Sequence, residues 1–305
     1  MTKRKGIILA GGTGSRLFPV TNTTSKQLLP VFDKPMIYYP LSVLMLSGIT
    51  EIAVITTPDQ RTNFENLLGD GASLGLQIQY IEQPRPEGLA QAYLLAEDFL
   101  AGAPSAMILG DNIFYGHGLP EVLRHAGSYA HGASIFAYQV RDPSRYGVVC
   151  FDDFGRASAI DEKPEAPRSD FAATGLYFLD GSASDRAKQI KPSMRGELEI
   201  IDLLRTYMTD DDLYVQRLGR GYAWFDTGTH ESLLDAGNFV RTIEERQGVK
   251  VGCIEEIAYH MQLIDLEQLL ALASAMSKTG YGEYLRRTAL QLRAGSTICD
   301  LRSIA

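Results

Sequence analysis

A glycine-rich segment near the amino terminus has the composition of a phosphate-binding loop. Gly11, Gly12 and Gly14 directly follow a short apolar run, and Ser15 and Arg16 come next. Glycines let backbone N–H groups turn inward and approach phosphate oxygens, and an arginine adds a planar, charged donor. The segment is therefore predicted to bind a polyphosphate, although a tight turn between a strand and a helix would use the same glycines.

Other glycine-loop classes fit this segment poorly. A dinucleotide-binding fingerprint needs glycine where the chain has Leu17, and the Gly-Lys-Ser/Thr ending of a P-loop is missing. Lys26 follows in the same connection. A lone lysine there would more often be a solvated surface residue, but Arg16 and Lys26 together can neutralise a triphosphate.

Two aspartates are candidates for a metal site. Asp111 follows the apolar run 106–109, and Asp226 follows the only tryptophan, Trp224. In α/β proteins, ligands bind beyond the carboxyl ends of buried strands. Magnesium prefers one or two carboxylates together with phosphate oxygens and water, so this pair would suit Mg²⁺ if the two side chains converge. Alternatively, each aspartate is a helix cap or a turn residue.

Four further side chains can contact a nucleotide or a sugar phosphate. The amide of Gln83 carries a donor and an acceptor that can pair with the imide edge of thymine or uracil. Glu162 can accept hydrogen bonds from sugar hydroxyls, and Lys163 can bind a phosphate. Arg195 is predicted near the start of an amphipathic helix, where it can bind phosphate or simply face water. All four would equally suit an exposed surface.

The spacing of apolar residues predicts the elements that position these side chains. Strands are predicted at residues 6–10, 51–56, 77–82, 106–109, 134–140, 174–179 and 213–218, and helices at 40–47 and 87–100. Beyond Gly228 the pattern is helical, over residues 229–247, 266–276 and 281–292, whereas residues 295–305 lack clear periodicity. We expect an α/β, Rossmann-like fold with a mixed, mostly parallel sheet. Residues 1–228 would form the core and residues 229–305 a helical appendage.

The composition excludes several classes of protein. With 305 residues, 45% of them hydrophobic, the chain can bury a sizeable core. Its net charge of −8 argues against non-specific nucleic-acid binding. Neither a signal peptide nor a membrane span is predicted. The three cysteines show no disulfide or zinc spacing, so we expect the chain to work in the reducing cytoplasm.

Taken together, these segments resemble the sugar nucleotidyltransferase family, most closely the members that use dTTP and glucose 1-phosphate. The similarity extends over residues 5–284 and includes the glycine loop, residues 25–40, and the segments around Asp111, Glu162, Arg195 and Asp226. The resemblance implies Mg²⁺-assisted transfer of dTMP from dTTP to α-D-glucose 1-phosphate, giving dTDP-glucose and pyrophosphate on the route to dTDP-rhamnose. It also implies a homotetramer.

The resemblance gives roles to individual positions. The implied catalytic residues are Arg16, Lys26, Asp111, Lys163 and Asp226, with Asp111 and Asp226 as the metal ligands. The implied nucleotide-binding residues are Gly11, Gly12, Gly14, Ser15, Gln27, Gln83 and Gly88. The implied sugar-phosphate residues are Asn112, Gly147, Glu162, Ala173, Thr174 and Arg195. A feedback site for a nucleotide sugar is implied at Tyr115, Gly116, Gly219, Arg220 and Glu256, although Gly252 and His260 replace a common serine and arginine.

The implied chemistry needs no general base, because the second pKa of a phosphomonoester is about 6 and the acceptor is already anionic at neutral pH. The enzyme must align two anions and neutralise charge on the α-phosphoryl oxygens. Three alternatives stay open. They are a preference for UTP, since thymine and uracil differ by one methyl group, a non-catalytic regulatory homologue, and a nicotinamide-dependent dehydrogenase, which Leu17 disfavours.

Overall fold

The computed structural model describes residues 3–293, within which thirteen strands and eleven helices form. The strands are β1 Lys5–Ala10, β2 Pro30–Val31, β3 Lys34–Pro35, β4 Glu51–Thr56, β5 Gln77–Glu82, β6 Ser105–Leu109, β7 Asn112–Gly116, β8 Ala133–Gln139, β9 Gly147–Phe151, β10 Ala157–Glu162, β11 Phe171–Leu179, β12 Leu213–Leu218 and β13 Tyr222–Asp226. The helices are α1 Tyr38–Leu46, α2 Arg61–Leu68, α3 Gln91–Leu95, α4 Glu97–Leu100, α5 Leu119–Gly127, α6 Ala183–Ala187, α7 Ile200–Thr209, α8 His230–Gln247, α9 Ile254–His260, α10 Leu266–Ala275 and α11 Gly280–Arg293.

Nine of these strands form one mixed sheet, which confirms the predicted fold class. Its parallel part has the order β6-β1-β4-β5. Strand β11 then pairs antiparallel with β6, β8 and β9. The sheet therefore joins a parallel half to a half in which β11 runs antiparallel to its neighbours and β12 runs parallel to β8. The two halves meet where β6 and β11 run side by side.

The first strand is buried on both faces. Ile7 and Leu9 contribute to the core on one side of the sheet, and Ile8 and Ala10 to the core on the other side. This alternation is the period of two residues that β-strands impose on side-chain direction. A continuous apolar run is thus required here, because helices cover both faces of the parallel strands.

A separate strand pair determines where Asp226 lies. Strand β13 pairs antiparallel with β7, and the register places Asp226 opposite Asn112. Asn112 follows Asp111 directly, so residues far apart in the sequence become neighbours at the end of β6. This pairing was not predicted from the sequence, and it brings the two predicted acids together.

The predicted helix over residues 87–100 is wrong in its extent. Helix α3 begins only at Gln91, and Ala96 leaves the helical region before α4 begins. Gly88, with φ of 104°, holds the chain in a conformation that a helix cannot contain. The residues before Gln91 therefore form a connection beside the predicted site.

The C-terminal helices pack against each other and against the core. Helix α8 has a capping box in which Thr229 and Ser232 bond each other's backbone. Helix α9 contacts α1, and α10 packs on α11. Within residues 3–293, none of the helices has the length and apolar character needed to cross a membrane. The predicted loose tail, residues 295–305, lies outside the described residues.

Candidate active site

One cleft brings all five predicted catalytic residues together. It has a volume of about 490 Å³ and opens where β1, β5 and β6 end. Its walls include Arg16, Lys26, Asp111, Lys163 and Asp226. The position agrees with the rule that α/β proteins bind ligands beyond the carboxyl ends of their parallel strands.

Neither aspartate is a helix cap. The side chain that caps α8 belongs to Thr229, not to Asp226, which is the last residue of β13. Asp111 lies in the turn between β6 and β7, and Thr227 donates to its carbonyl oxygen through both N (3.1 Å) and Oγ1 (2.7 Å). These two hydrogen bonds hold the segment that carries Asp226 against the segment that carries Asp111.

The two acids perturb each other. Burial raises the pKa of Asp226, and the negative charge of Asp111 raises it further. Burial would also raise the pKa of Asp111, but the ion pair with the Lys26 ammonium and the hydrogen bonds from Asn112 and the backbone together outweigh burial and lower this pKa. A divalent cation held by both carboxylates would offset the repulsion between their negative charges.

The donor set suits magnesium rather than a metal held by protein ligands alone. No cluster of three or more His, Cys, Asp or Glu side chains suited to a metal occurs among residues 3–293. Mg²⁺ commonly binds through one or two carboxylates, with substrate phosphates and water completing its shell. Asp111 and Asp226 therefore fit Mg²⁺ in the presence of a phosphate substrate.

Two guanidinium groups in the cleft are available for anions. Arg16 and Arg145 line it, and within the part of the chain that the structure describes neither forms a salt bridge. Arg16 lies against Gly228, where a Cβ atom would come within 2.6 Å of its Nη2 and 3.1 Å of Asp226 Oδ1. Arg145 ends a 3-10 turn, and its charge lowers the pKa of Asp226 against the effect of burial.

Sequence reasoning missed Arg145, although a signal was present. Arg145 and Tyr146 directly precede Gly147, which the resemblance had placed at the sugar phosphate. Tyr146 also lines the cleft, as do Tyr177 and Trp224. A cation next to a position already assigned to a phosphate-bearing ligand is the clue that identifies it.

The positions predicted to bind the nucleotide lie in and beside the same cleft. Gly12, Gln27, Gln83 and Gly88 line it. Gly11 lies behind them, and a Cβ atom there would come within 2.0 Å of Gln83 Oε1, so any larger residue would displace that amide. The other two predicted positions, Gly14 and Ser15, lie farther along the loop, where Thr21 Oγ1 donates to the Gly14 carbonyl oxygen (2.8 Å).

Four of the residues predicted to bind the sugar phosphate, Asn112, Gly147, Glu162 and Ala173, line the cleft. The Asn112 side-chain oxygen accepts from the Trp224 indole (2.7 Å) and from the Gly175 backbone (3.1 Å), which fixes its orientation.

Two predicted sugar-phosphate residues, Arg195 and Thr174, are not among the residues that line the cleft. Arg195 is not in a helix, because α7 begins only at Ile200; it lies in the preceding loop and donates to Glu162 (3.1 Å) and Glu199 (2.9 Å). Both of those carboxylates line the cleft. Thr174 is fully buried in β11, and it is the neighbouring Ala173 that forms the wall.

Lys163 has an unusual backbone at the cleft. Its φ is 41°, in the left-handed region that non-glycine residues rarely adopt, and its N–H donates to the Tyr146 carbonyl oxygen (3.0 Å). Strain of this kind is maintained by surrounding structure and clusters at functional sites. The conformation places the Lys163 side chain among the cleft-lining residues.

The residues of the implied feedback site lie on β7, on the turn between β12 and β13, and on α9. Gly116 pairs with Tyr222, whose N–H donates to the Gly219 carbonyl oxygen (3.3 Å), and Tyr115 and Arg220 are their chain neighbours. Glu256 instead accepts a hydrogen bond from the Tyr284 hydroxyl (2.7 Å), and burial raises its pKa to about 7.

Known proteins similar to this chain include enzymes of nucleotide transfer. Glucose-1-phosphate thymidylyltransferase of Xanthomonas campestris pv. campestris (strain B100) is 60% identical over 293 residues, covering 96% of this chain and 99% of the relative. The enzyme of the same name from Neisseria meningitidis serogroup A is 55% identical over 283 residues, covering 93% of this chain and 98% of the relative.

Two solved structures are similar to this chain in fold and in sequence. A Bacillus anthracis protein assigned as a glucose-1-phosphate thymidylyltransferase, solved with sucrose, has a TM-score of 0.72 and 40% identity, covering 78% of this chain and 95% of its own. UDP-glucose pyrophosphorylase complexed with UDP-glucose has a TM-score of 0.69 and 26% identity, covering 79% of this chain and 99% of its own. The sequence model of the nucleotidyl transferases matches residues 5–243, and with the cleft described above this shows that the chain belongs to the nucleotidyl transferase family.

Proposed function

We propose that this chain transfers dTMP from dTTP to α-D-glucose 1-phosphate, with release of pyrophosphate. Relatives that carry the name of this activity match the chain over nearly its full length. The observation that carries the proposal is the cleft in which Lys26, Asp111 and Asp226 interact, while Arg16 and Arg145 have no salt bridge to any of the described residues, 3–293. Such a set of charges suits two phosphate-bearing substrates.

The reaction rests on positioning and charge neutralisation. The glucose 1-phosphate oxygen attacks the α-phosphorus of dTTP, opposite the pyrophosphate leaving group, without a general base. Arg16, Lys26 and Arg145 would bind the triphosphate, and Lys163 would hold the acceptor phosphate. When bound by Asp111 and Asp226, Mg²⁺ would supply Lewis-acid stabilisation of the phosphoryl oxygens.

The two ends of the cleft would bind the two substrates. Gln27, Gln83 and Gly88 would contact the thymine base, and the loop from Gly11 to Arg16, including Gly12, Gly14 and Ser15, would surround the phosphates. Asn112, Gly147, Glu162 and Ala173 would contact the glucose. Arg195, held by Glu162 and Glu199, would face its phosphate, and Thr174 would support the wall from behind.

Several wider features belong to the same proposal. The product dTDP-glucose would enter dTDP-rhamnose and related deoxysugar synthesis in the cytoplasm. The chain would divide into a core, residues 1–228, and a helical region, residues 229–305, which would make oligomer or regulatory contacts. It would form a homotetramer. A nucleotide sugar would inhibit it by binding near Tyr115, Gly116, Gly219, Arg220 and Glu256. These stay predictions.

One alternative has an observation in its favour. The fold neighbour solved with UDP-glucose is named a pyrophosphorylase of UDP-glucose, and the imide edge that Gln83 would contact is the same in uracil and thymine. UTP is therefore the second candidate donor. A non-catalytic homologue is disfavoured, because all five predicted catalytic side chains line one cleft.

The test is pyrophosphate release across a matrix of dTTP, UTP, dCTP and ATP with glucose, galactose, mannose and N-acetylglucosamine 1-phosphates, each with Mg²⁺. We expect the highest kcat/KM for dTTP with glucose 1-phosphate and a lower value for UTP. A higher kcat/KM for UTP would establish the alternative donor. No release in any combination would refute the proposal.

A further inference from the structure

The amide of Gln83 is held from behind by a second amide. Gln83 follows β5 and is 2% exposed, with its side chain facing Gly11 in the cleft. Its Nε2 donates to Oε1 of Gln91 in α3 (2.7 Å), and Gln91 is 9% exposed. The residue proposed to recognise the base therefore has a buried partner that is not among the residues lining the cleft.

The direction of the Gln91 amide is determined by chemistry. The Glu87 backbone N–H donates to Gln91 Oε1 (3.1 Å), and Gln91 Nε2 donates to Glu87 Oε2 (2.9 Å). A backbone N–H can only donate, and an ionised carboxylate can only accept. Rotating the Gln91 amide by half a turn would oppose donor to donor and acceptor to acceptor, so only one orientation satisfies both partners.

The same argument then fixes Gln83. Because Gln91 presents an oxygen to it, Gln83 must present its nitrogen in return. Gln83 Oε1 is therefore left facing Gly11, where a Cβ atom would come within 2.0 Å of it. One hydrogen of Gln83 Nε2 also remains for a ligand, since the other is used by Gln91.

We propose that Gln91 and Glu87 are positioning residues that set the base specificity of the enzyme by locking the amide of Gln83. This inference rests on the proposed function. In thymine and uracil, N3–H donates to Gln83 Oε1 and the carbonyl oxygen at C4 accepts from Nε2. Cytosine has the reverse pattern, with an acceptor at N3 and an amine at C4, so the locked amide opposes like groups.

A free glutamine would not discriminate in this way. Half a turn of its terminal amide exchanges donor and acceptor and matches cytosine as well as thymine. Sites built to hydrogen-bond a particular group reject ligands that leave the buried polar atoms unpaired. Discrimination against cytosine thus depends on the residues behind Gln83, and not on Gln83 alone.

The test is the ratio of kcat/KM for dTTP to kcat/KM for dCTP, with glucose 1-phosphate as acceptor. In Q91L the ratio should fall about tenfold or more, the value of one oriented hydrogen bond. The control Q79L makes the same change at an exposed position of β5 and should leave the ratio unchanged. Titration of dTTP and dCTP into each variant gives the same ratio as dissociation constants, without turnover.

A second variant tests the direction of the hydrogen-bond relay, in which Glu87 orients the Gln91 amide and Gln91 orients the Gln83 amide. In E87Q/Q91E the amide and the carboxylate are exchanged, so position 91 still accepts from Gln83 while position 87 becomes the donor. Net charge is conserved. We expect this variant to select dTTP over dCTP as strongly as the wild type, because position 91 still accepts from Gln83. Retained selection here together with reduced selection in Q91L, which fills the site but has no acceptor, would show that the acceptor at position 91 and not its bulk orients Gln83.

The outcomes separate this inference from the proposed function. A wild-type protein that transfers no thymidylate refutes the function. A wild type that selects dTTP, together with a Q91L variant that selects it equally well, overturns the relay and leaves the function intact. Should Q91L fail to fold, the folded exchange variant decides: retained selection supports the relay, and lost selection overturns it.

Discussion

Replacing Lys26 by methionine should destabilise the protein in the absence of any substrate. The side chains of Lys26 and Asp111 are 14% and 9% exposed, so their ion pair is largely buried. Removing one partner of a buried pair leaves an uncompensated charge and costs about 3–5 kcal/mol. Because the cleft admits water, we expect the lower end, about 3 kcal/mol of unfolding free energy.

The pH dependence follows from the lowered pKa of Asp111. An acid whose pKa is lowered in the folded state adds stability above its unfolded pKa of about 3.9, and this is lost as the pH falls through the folded pKa. The difference between the wild type and K26M should therefore be large at neutral pH and should shrink below about pH 4.

Urea unfolding followed by circular dichroism measures the difference in unfolding free energy between the wild type and K26M. The double variant K26M/D111N should recover most of the loss, because the Asp111 charge that K26M leaves unpaired is then also removed, yet it should not turn over. A K26M protein within about 0.5 kcal/mol of the wild type at neutral pH would refute the reasoning, since only exposed pairs contribute so little.

Three further predictions concern the same cleft. D226N should be more stable than the wild type above about pH 4, because the raised pKa of Asp226 makes the folded wild type lose stability as its carboxyl ionises; urea unfolding from acid to neutral pH checks this. R145A should lower kcat/KM for dTTP about tenfold or more, whereas R141A, an exposed neighbour that does not line the cleft, should not. G11A should weaken dTTP binding in calorimetric titration, because its Cβ displaces the Gln83 amide.

Much of the fold could be predicted from the sequence. Apolar runs such as that of β1 are buried on both faces, as a short continuous apolar run bounded by turn residues predicts for a strand of a parallel sheet. Helix α9 was missed because it is short and two of its buried residues are the acids Glu255 and Glu256. Their hydrogen bonds to Tyr281 (2.5 Å) and Tyr284 (2.7 Å) arise only in the tertiary structure.

The sequence predicted which residues contribute to the site, but it did not predict how they are arranged in space. Residue type and position beyond a strand singled out Asp111 and Asp226, but their convergence depends on the pairing of β7 with β13, which no local pattern specifies. Arg145 was missed because an arginine in a loop has no distinctive spacing. The glutamine relay was missed for the same reason, since Gln91 acts through Gln83 and not on a ligand.

The most direct test of the whole account is the rate of pyrophosphate release from dTTP and glucose 1-phosphate in D111N, measured with Mg²⁺ and with circular dichroism as a check on folding. If the two acids and the cations of the cleft act on one phosphorus atom, the rate should fall by about 10³-fold or more while the fold is retained. Turnover near the wild-type rate in a folded D111N protein would contradict it.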